Sequence, residues 1–147
     1  MSMTADLTPK QRAEKSAEAM WASDNASKWA GMEITAIDEG SATLELTVVP
    51  HHCNGHGICH GGVTFMLADS AFAFACNSRN QSTVAQSNSI TFTAPGKLGD
   101  RLVARASEVS LSGRSGIYDV TVENQNGQMI AVFRGLSRAI KGQLFDE

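Results

Sequence analysis

The sequence predicts an α+β fold in which an antiparallel β-sheet wraps around one long central helix. Three observations carry this. The run Val63–Asn77, VTFMLADSAFAFACN, is apolar nearly all the way round, as in a helix buried on most of its faces. Ala42, Leu44, Leu46 and Val48 alternate with Thr43, Glu45 and Thr47, which is the period of a half-buried strand. Beyond Gln81 the chain reads as strands divided by turn signals, at Pro95-Gly96, Ser112-Gly113 and Asn124–Gly127. A sheet curled around a single helix is the economical way to bury both.

The elements follow in order. Residues 1–16 read as an N-terminal tail or a loosely docked helix. From Ala17 to Ala30 the pattern is helical, with Met20, Trp21 and Trp29 as anchors and Asp24 or Ser27 as a cap. A turn at Asp38-Glu39-Gly40 joins Met32–Ile37 to the alternating strand from Ser41. His51–Gly62, rich in His and Gly, is a shaped loop leading into the apolar helix. Val84–Thr93, Arg101–Leu111, Ile117–Asn124 and Gln128–Ala139 make a four-strand antiparallel meander. The folded domain is expected over residues 17–141, with 142–147 as a C-terminal tail.

Composition narrows the function. With 147 residues there is room for about one domain, not for a nucleotide-binding domain plus a separate substrate domain. Twelve basic and fifteen acidic side chains give a net charge of −3, which argues against nucleic acid as a partner. Charged residues are only 18%, fewer than a small soluble domain usually carries, which hints at surface covered by another subunit. No apolar leader or membrane-length run is present, and three cysteines are too few for a disulfide scaffold. The reducing cytoplasm is the expected compartment.

Asp69 is the only charged residue between Gly61 and Ser78. A carboxylate carried into an apolar helix is costly unless compensated. It is either a structural acid or a general base or nucleophile in a partly desolvated cleft. His60-Gly61-Gly62 opens the same helix. Unpaired N–H groups at a helix start can hold a developing oxyanion, and glycine lets a carbonyl approach the backbone. Gly61 and Asp69 lie eight residues apart, about 12 Å along a helix. Two groups acting on one carbon must both lie within about 3–4 Å of it. An active site using both is therefore most simply built across a twofold dimer, Gly61 of one copy against Asp69 of the other.

All four histidines and two cysteines fall within HHCNGHGICH. The spacing of Cys53 and Cys59 matches neither a zinc knuckle nor a haem site, so no metal is expected. Asn54 and His60 are read as polar groups lining the site. Among the C-terminal basic residues, Arg114 stands out in Ser112-Gly113-Arg114-Ser115, where a flexible backbone can meet a phosphate.

HGICHGGVTFMLADSAFAFACN, with Asn54-Gly55 ahead of it, resembles the signature of hotdog-fold acyl-CoA thioesterases of the phenylacetic acid degradation (Paa-type) group. The resemblance continues through MWASDNASKWAGM, ITFTAPGKLGDRL and SGRSGIYDVTVENQNGQMIAVFRG, roughly residues 19–140. It implies hydrolysis of aromatic acyl-CoA thioesters, with coenzyme A as part of the substrate and no cofactor. It implies that Asp69 activates water, that the Gly61 N–H polarises the carbonyl, and that Asn54 and His60 complete the catalytic set. For CoA it implicates Gly62, Thr93, Gly96 and Lys97, and Ser112–Ser115 less directly. It further implies a homodimer that assembles into a homotetramer. His51-His52 departs from the family pattern and bears on the rim of the acyl pocket. Two other readings stand beside it. One is a hotdog dehydratase or hydratase using His60; the other is a non-catalytic acyl-CoA-binding protein.

Overall fold

A computed structural model describes residues 6–147. Helix α1 (Pro9–Ser23) starts at Thr8, whose hydroxyl accepts from Gln11 N at 3.1 Å while Gln11 Oε1 accepts from Thr8 N at 2.9 Å. This reciprocal cap, with proline at the first helical position, fixes the start eight residues ahead of the expected domain boundary at 17. Ala13, Ser16 and Ala17 are buried, so much of the expected tail is part of the folded body; residues 1–5 of it lie outside the described residues. The end of the chain is also held. Asn80 Oδ1 accepts from Leu144 N and Phe145 N, and Arg12 pairs with Glu147 at 2.6 Å.

Asp24 interrupts the expected helix 17–30. Its carboxylate accepts from Ser27 N and Ser27 Oγ, which ends α1 and caps the short α2 (Asn25–Ala30). The strands are β1 (Glu33–Asp38), β2 (Ser41–Thr47), β3 (Thr83–Phe92), β4 (Arg101–Ser112), β5 (Ser115–Glu123) and β6 (Met129–Ala139). They form one antiparallel sheet in the order β1-β2-β4-β5-β6-β3. The expected four-strand meander is therefore corrected. Of those four strands only β4, β5 and β6 are neighbours in sequence order; β3 crosses over to pair with β6, and β4 pairs with β2. The crossover puts β3 at an edge of the sheet, next to β6.

Helix α3 (Gly61–Cys76) lies in the curl of the sheet. Ala68, Ala71 and Ala75 are fully buried, and their small side chains let the helix approach the strands closely. Leu67, Phe72 and Phe74 fill the space against Leu44, Leu46, Leu102, Tyr118, Val120 and Ile130. On β2 and β5 buried positions alternate with half-buried ones, as a one-faced sheet requires. Strand β3 departs from that pattern and is exposed along most of its length, with Val84 and Phe92 both open to solvent. Among the described residues no helix is long and apolar enough to cross a membrane.

Candidate active site

The loop before α3 folds back on itself through Asn54. Asn54 Oδ1 accepts from His56 N at 2.9 Å and Ile58 N at 3.4 Å, closing a tight turn and leaving the side-chain amide N–H groups without an acceptor among the described residues. His60 then caps α3, its Nδ1 accepting from Gly62 N at 2.8 Å. With Nδ1 accepting, that nitrogen is occupied in ending the loop and starting the helix. Among the described residues the neighbouring Gly61 N–H meets no acceptor. It lies at the positive end of the helix, where an unpaired donor favours a developing negative charge.

A cleft of about 470 Å³ opens at this point. Asn54, Gly61, Thr93 and Gly96, named from the sequence, line it together with Ile58, Cys59, Thr64 and Phe92. Phe92 lies over the helix start so closely that a Cβ on Gly61 would come within 3.0 Å of its ring, which gives the glycine a reason beyond flexibility. Lys97 follows Gly96 on an exposed loop and, among the described residues, forms no ion pair.

Asp69 does not line that cleft. It sits half-buried two turns further along α3, where Asn88 of β3 donates to its Oδ1 at 3.0 Å. Burial pushes its carboxyl above the ordinary aspartate range, and the Asn88 bond pulls partly back. Asn88 Oδ1 is buried without a donor among the described residues. Gly62 is exposed, and Met66, Asp69 and Ala73, like Val63, Phe65 and Ser70, are half-buried, so one side of α3 stays partly open in a single chain.

A model of the thioesterase superfamily matches residues 56–131, from the Asn54 turn across α3 to β6. The chain is 41% identical over 136 residues to acyl-coenzyme A thioesterase PaaI of Escherichia coli, covering 92% of this chain and 97% of that one. The chain belongs to the thioesterase superfamily. The solved structure of the E. coli PaaI protein from the phenylacetic acid degradation operon is similar with a TM-score of 0.91 at 40% identity, covering 92% of this chain and 99% of that one. A Streptococcus mutans protein solved with acetyl CoA bound is similar with a TM-score of 0.73 at 27% identity, over 76% and 90% of the two chains. The curled sheet around α3 is the hotdog fold of this superfamily, and the enzyme is a thioester hydrolase.

The thioesterase does not bring every sequence-named residue to one place. Ser112–Ser115 form the tight turn joining β4 to β5, with Gly113 at φ +60°. That turn is at the far end of β4 from the cleft, roughly 35 Å along the strand. There Arg114, in the turn, and Arg138, on the neighbouring strand β6, have no carboxylate partners among the described residues, whereas Arg101, Arg105 and Arg134 are ion-paired. The His51-His52 pair is not on the cleft. His52 is buried, accepting from Val49 N on Nδ1 and facing Ala30 O at 2.8 Å with Nε2, so it ties the loop to the end of α2. Sequence reading passed over Asn88 and Phe92, and took Arg138 only as part of a solvated strand face. Each acquires a role only from what the fold brings against it: α3 for Asn88 and Phe92, the β4–β5 turn for Arg138.

Proposed function

We propose that this thioesterase hydrolyses acyl-CoA thioesters carrying aromatic acyl groups, of the phenylacetyl-CoA or hydroxyphenylacetyl-CoA type, at a site shared by two copies of the chain. The observation that carries the reading is the arrangement of α3. A free N–H at Gly61 and a desolvated carboxylate at Asp69 are separated by about 12 Å on one helix with a partly open side, beside an exposed strand β3. Two such helices side by side and antiparallel bring each Gly61 to the other copy's Asp69 and cover both open sides. The similarity to the PaaI protein of the phenylacetic acid degradation operon supports the aromatic acyl class.

In this reading the Gly61 N–H donates to the thioester carbonyl oxygen and the Asn54 amide helps orient substrate or water. Asp69 of the other copy takes a proton from water as its oxygen attacks the carbonyl carbon. Collapse of the tetrahedral intermediate breaks the C–S bond. The departing thiolate takes the proton from Asp69, and free acid and CoA leave. The steps draw on no metal or further cofactor. Lys97 and the Arg114 turn are cations for the CoA phosphates, the turn being supplied by a different copy from the one holding the cleft. The exposed outer face of the sheet, with Val109, Val132 and Leu136, pairs two dimers into a tetramer. Free thiols at Cys53, Cys59 and Cys76 fit a reducing cytoplasm.

Thiol release measured across phenylacetyl-, hydroxyphenylacetyl-, benzoyl- and straight-chain acyl-CoA tests the substrate class; equal or greater rates on straight chains would refute it. Mixing inactive Asp69→Ala subunits with inactive Gly61→Val subunits tests the shared site. Random pairing restores about a quarter of the activity if each site draws on two chains. No recovery by verified heterodimers rules the arrangement out.

A further inference from the structure

Cys53 and Cys59 face one another across the small hairpin that carries Asn54. Asn54 N donates to Ile58 O, and His60 N donates to His52 O, both at 2.9 Å. These two bonds bracket the cysteines and make them a non-hydrogen-bonded antiparallel pair, with side chains on the same side. Such pairs bring Cα atoms to about 4.5 Å, inside the window of about 4.4–6.8 Å that a disulfide requires. Both thiols are free and directed elsewhere. Cys53 Sγ faces Val49 O at 3.8 Å, and Cys59 Sγ faces His60 O and accepts from Thr64 Oγ1, each at 3.7 Å. Closing a bond requires both side chains to rotate out of these contacts.

We propose that Cys53 and Cys59 are an oxidisable dithiol that closes to a disulfide by exchange with a low-molecular-weight disulfide, and that closure slows thioester hydrolysis. The half-buried Cys53 is the point of entry. Its thiolate attacks one sulfur of the small disulfide, forming a mixed disulfide and releasing one thiolate. Cys59 then loses its proton to solvent and attacks the Cys53 sulfur, expelling the second thiolate. Two protein thiols are oxidised by two electrons and one external disulfide is reduced to two thiols. Burial pushes the Cys59 thiol up, which slows its ionisation for the second step. Cys76, buried in α3 with its thiol pushed up to about 12, stays out of the exchange.

The consequence follows from what Cys59 touches. It lines the cleft beside Gly61, and its Cβ comes within 3.2 Å of the position that a Cβ on Gly96 would take. When its sulfur turns to Cys53, Thr64 loses the acceptor for a hydroxyl buried in the first turn of α3. The change therefore reaches both the turn that holds Asn54 and the helix end that presents the Gly61 N–H. Displacements of about 1 Å at such groups can cost up to about a hundredfold in rate.

Reduced enzyme is incubated with glutathione disulfide or, in parallel, coenzyme A disulfide, then blocked with iodoacetamide. Intact mass and peptide mapping are expected to show the loss of two hydrogens, a Cys53–Cys59 link and alkylated Cys76. Hydrolysis is expected to fall by about tenfold or more, with recovery in dithiothreitol. Faster closure with coenzyme A disulfide identifies the cleft's own class of ligand as the oxidant; equal rates point to the general thiol pool. Reduced Cys53→Ser is expected to keep the wild-type rate and to resist both disulfides. Mixed adducts alone, no oxidation, an internal disulfide with an unchanged rate, or equal inhibition of Cys53→Ser overturns the proposal. The mass readout does not depend on which thioester is hydrolysed, so failure of the substrate reading remains separate.

Discussion

The side-chain amide of Asn88 donates to Asp69 Oδ1 at 3.0 Å, while its own carbonyl oxygen is buried without a donor among the described residues. An amide suits a carboxyl group that changes protonation state. Its N–H₂ end serves the carboxylate and, turned over, its oxygen serves the protonated acid. Asn88 also occupies one carboxyl oxygen and leaves the other for water. The bond opposes the desolvation that lifts Asp69.

Asn88→Ala therefore raises the Asp69 pKa further, because desolvation remains and the opposing hydrogen bond is lost. The acidic limb of kcat/KM against pH moves upward by about one pH unit, matching a charge-assisted hydrogen bond of about 1.5 kcal/mol. Asn88→Asp moves it further, since two carboxylates side by side resist double ionisation. Unmoved limbs in both variants dismiss Asn88 as a positioning residue.

Asp69→Asn separates activity from stability. Removing the base lowers kcat by about a hundredfold or more. Folding responds with the opposite sign. A carboxyl whose folded pKa lies above its unfolded one contributes stability below the unfolded pKa and loses it as pH rises through the folded value. At pH 7 the wild type thus carries an unfavourable buried charge that the amide lacks. Thermal melts are expected to show Asp69→Asn at least as stable as wild type at pH 7, with the difference shrinking toward pH 4. A variant clearly less stable at pH 7 makes Asp69 a structural acid instead.

The contrast between Asp69 and Asn88 shows what a sequence exposes. A lone charge in an apolar helix is conspicuous, and so is the distance from Gly61, because helix geometry is fixed by residue count. Asn88 is one polar residue on a mostly polar edge strand, and only the β3–β6 crossover puts it under Asp69. That crossover was missed because strand order is set by long-range pairing, which local alternation does not encode. The early start of α1 was legible in Thr8-Pro9 and Gln11, but its buried face of Ala13, Ser16 and Ala17 is too small to stand out as apolar.

Lys97 and Arg114 lie at opposite ends of β4, each without an ion pair among the described residues. If both meet CoA phosphates, Lys97→Ala and Arg114→Ala raise KM by about three- to tenfold each, as expected for one charge-assisted contact at an exposed site, with kcat nearly unchanged. The effect shrinks in high salt, where screening already weakens the contact. A kcat loss at constant KM in either variant removes that residue from the binding set.

Gly135 faces Asn88 across the β3–β6 pairing and holds the Phe72 ring against the sheet. A Cβ there would lie 2.6 Å from the ring, too close for a fully buried side chain to yield without moving α3. Gly135→Ala should destabilise the fold by about 1–3 kcal/mol, despite the better strand propensity of alanine. Pairing it with Phe72→Leu relieves the overlap, so the double variant should be more stable than the sum of the two single changes predicts. Strict additivity in urea denaturation would show that the ring and the glycine do not compete for the same space.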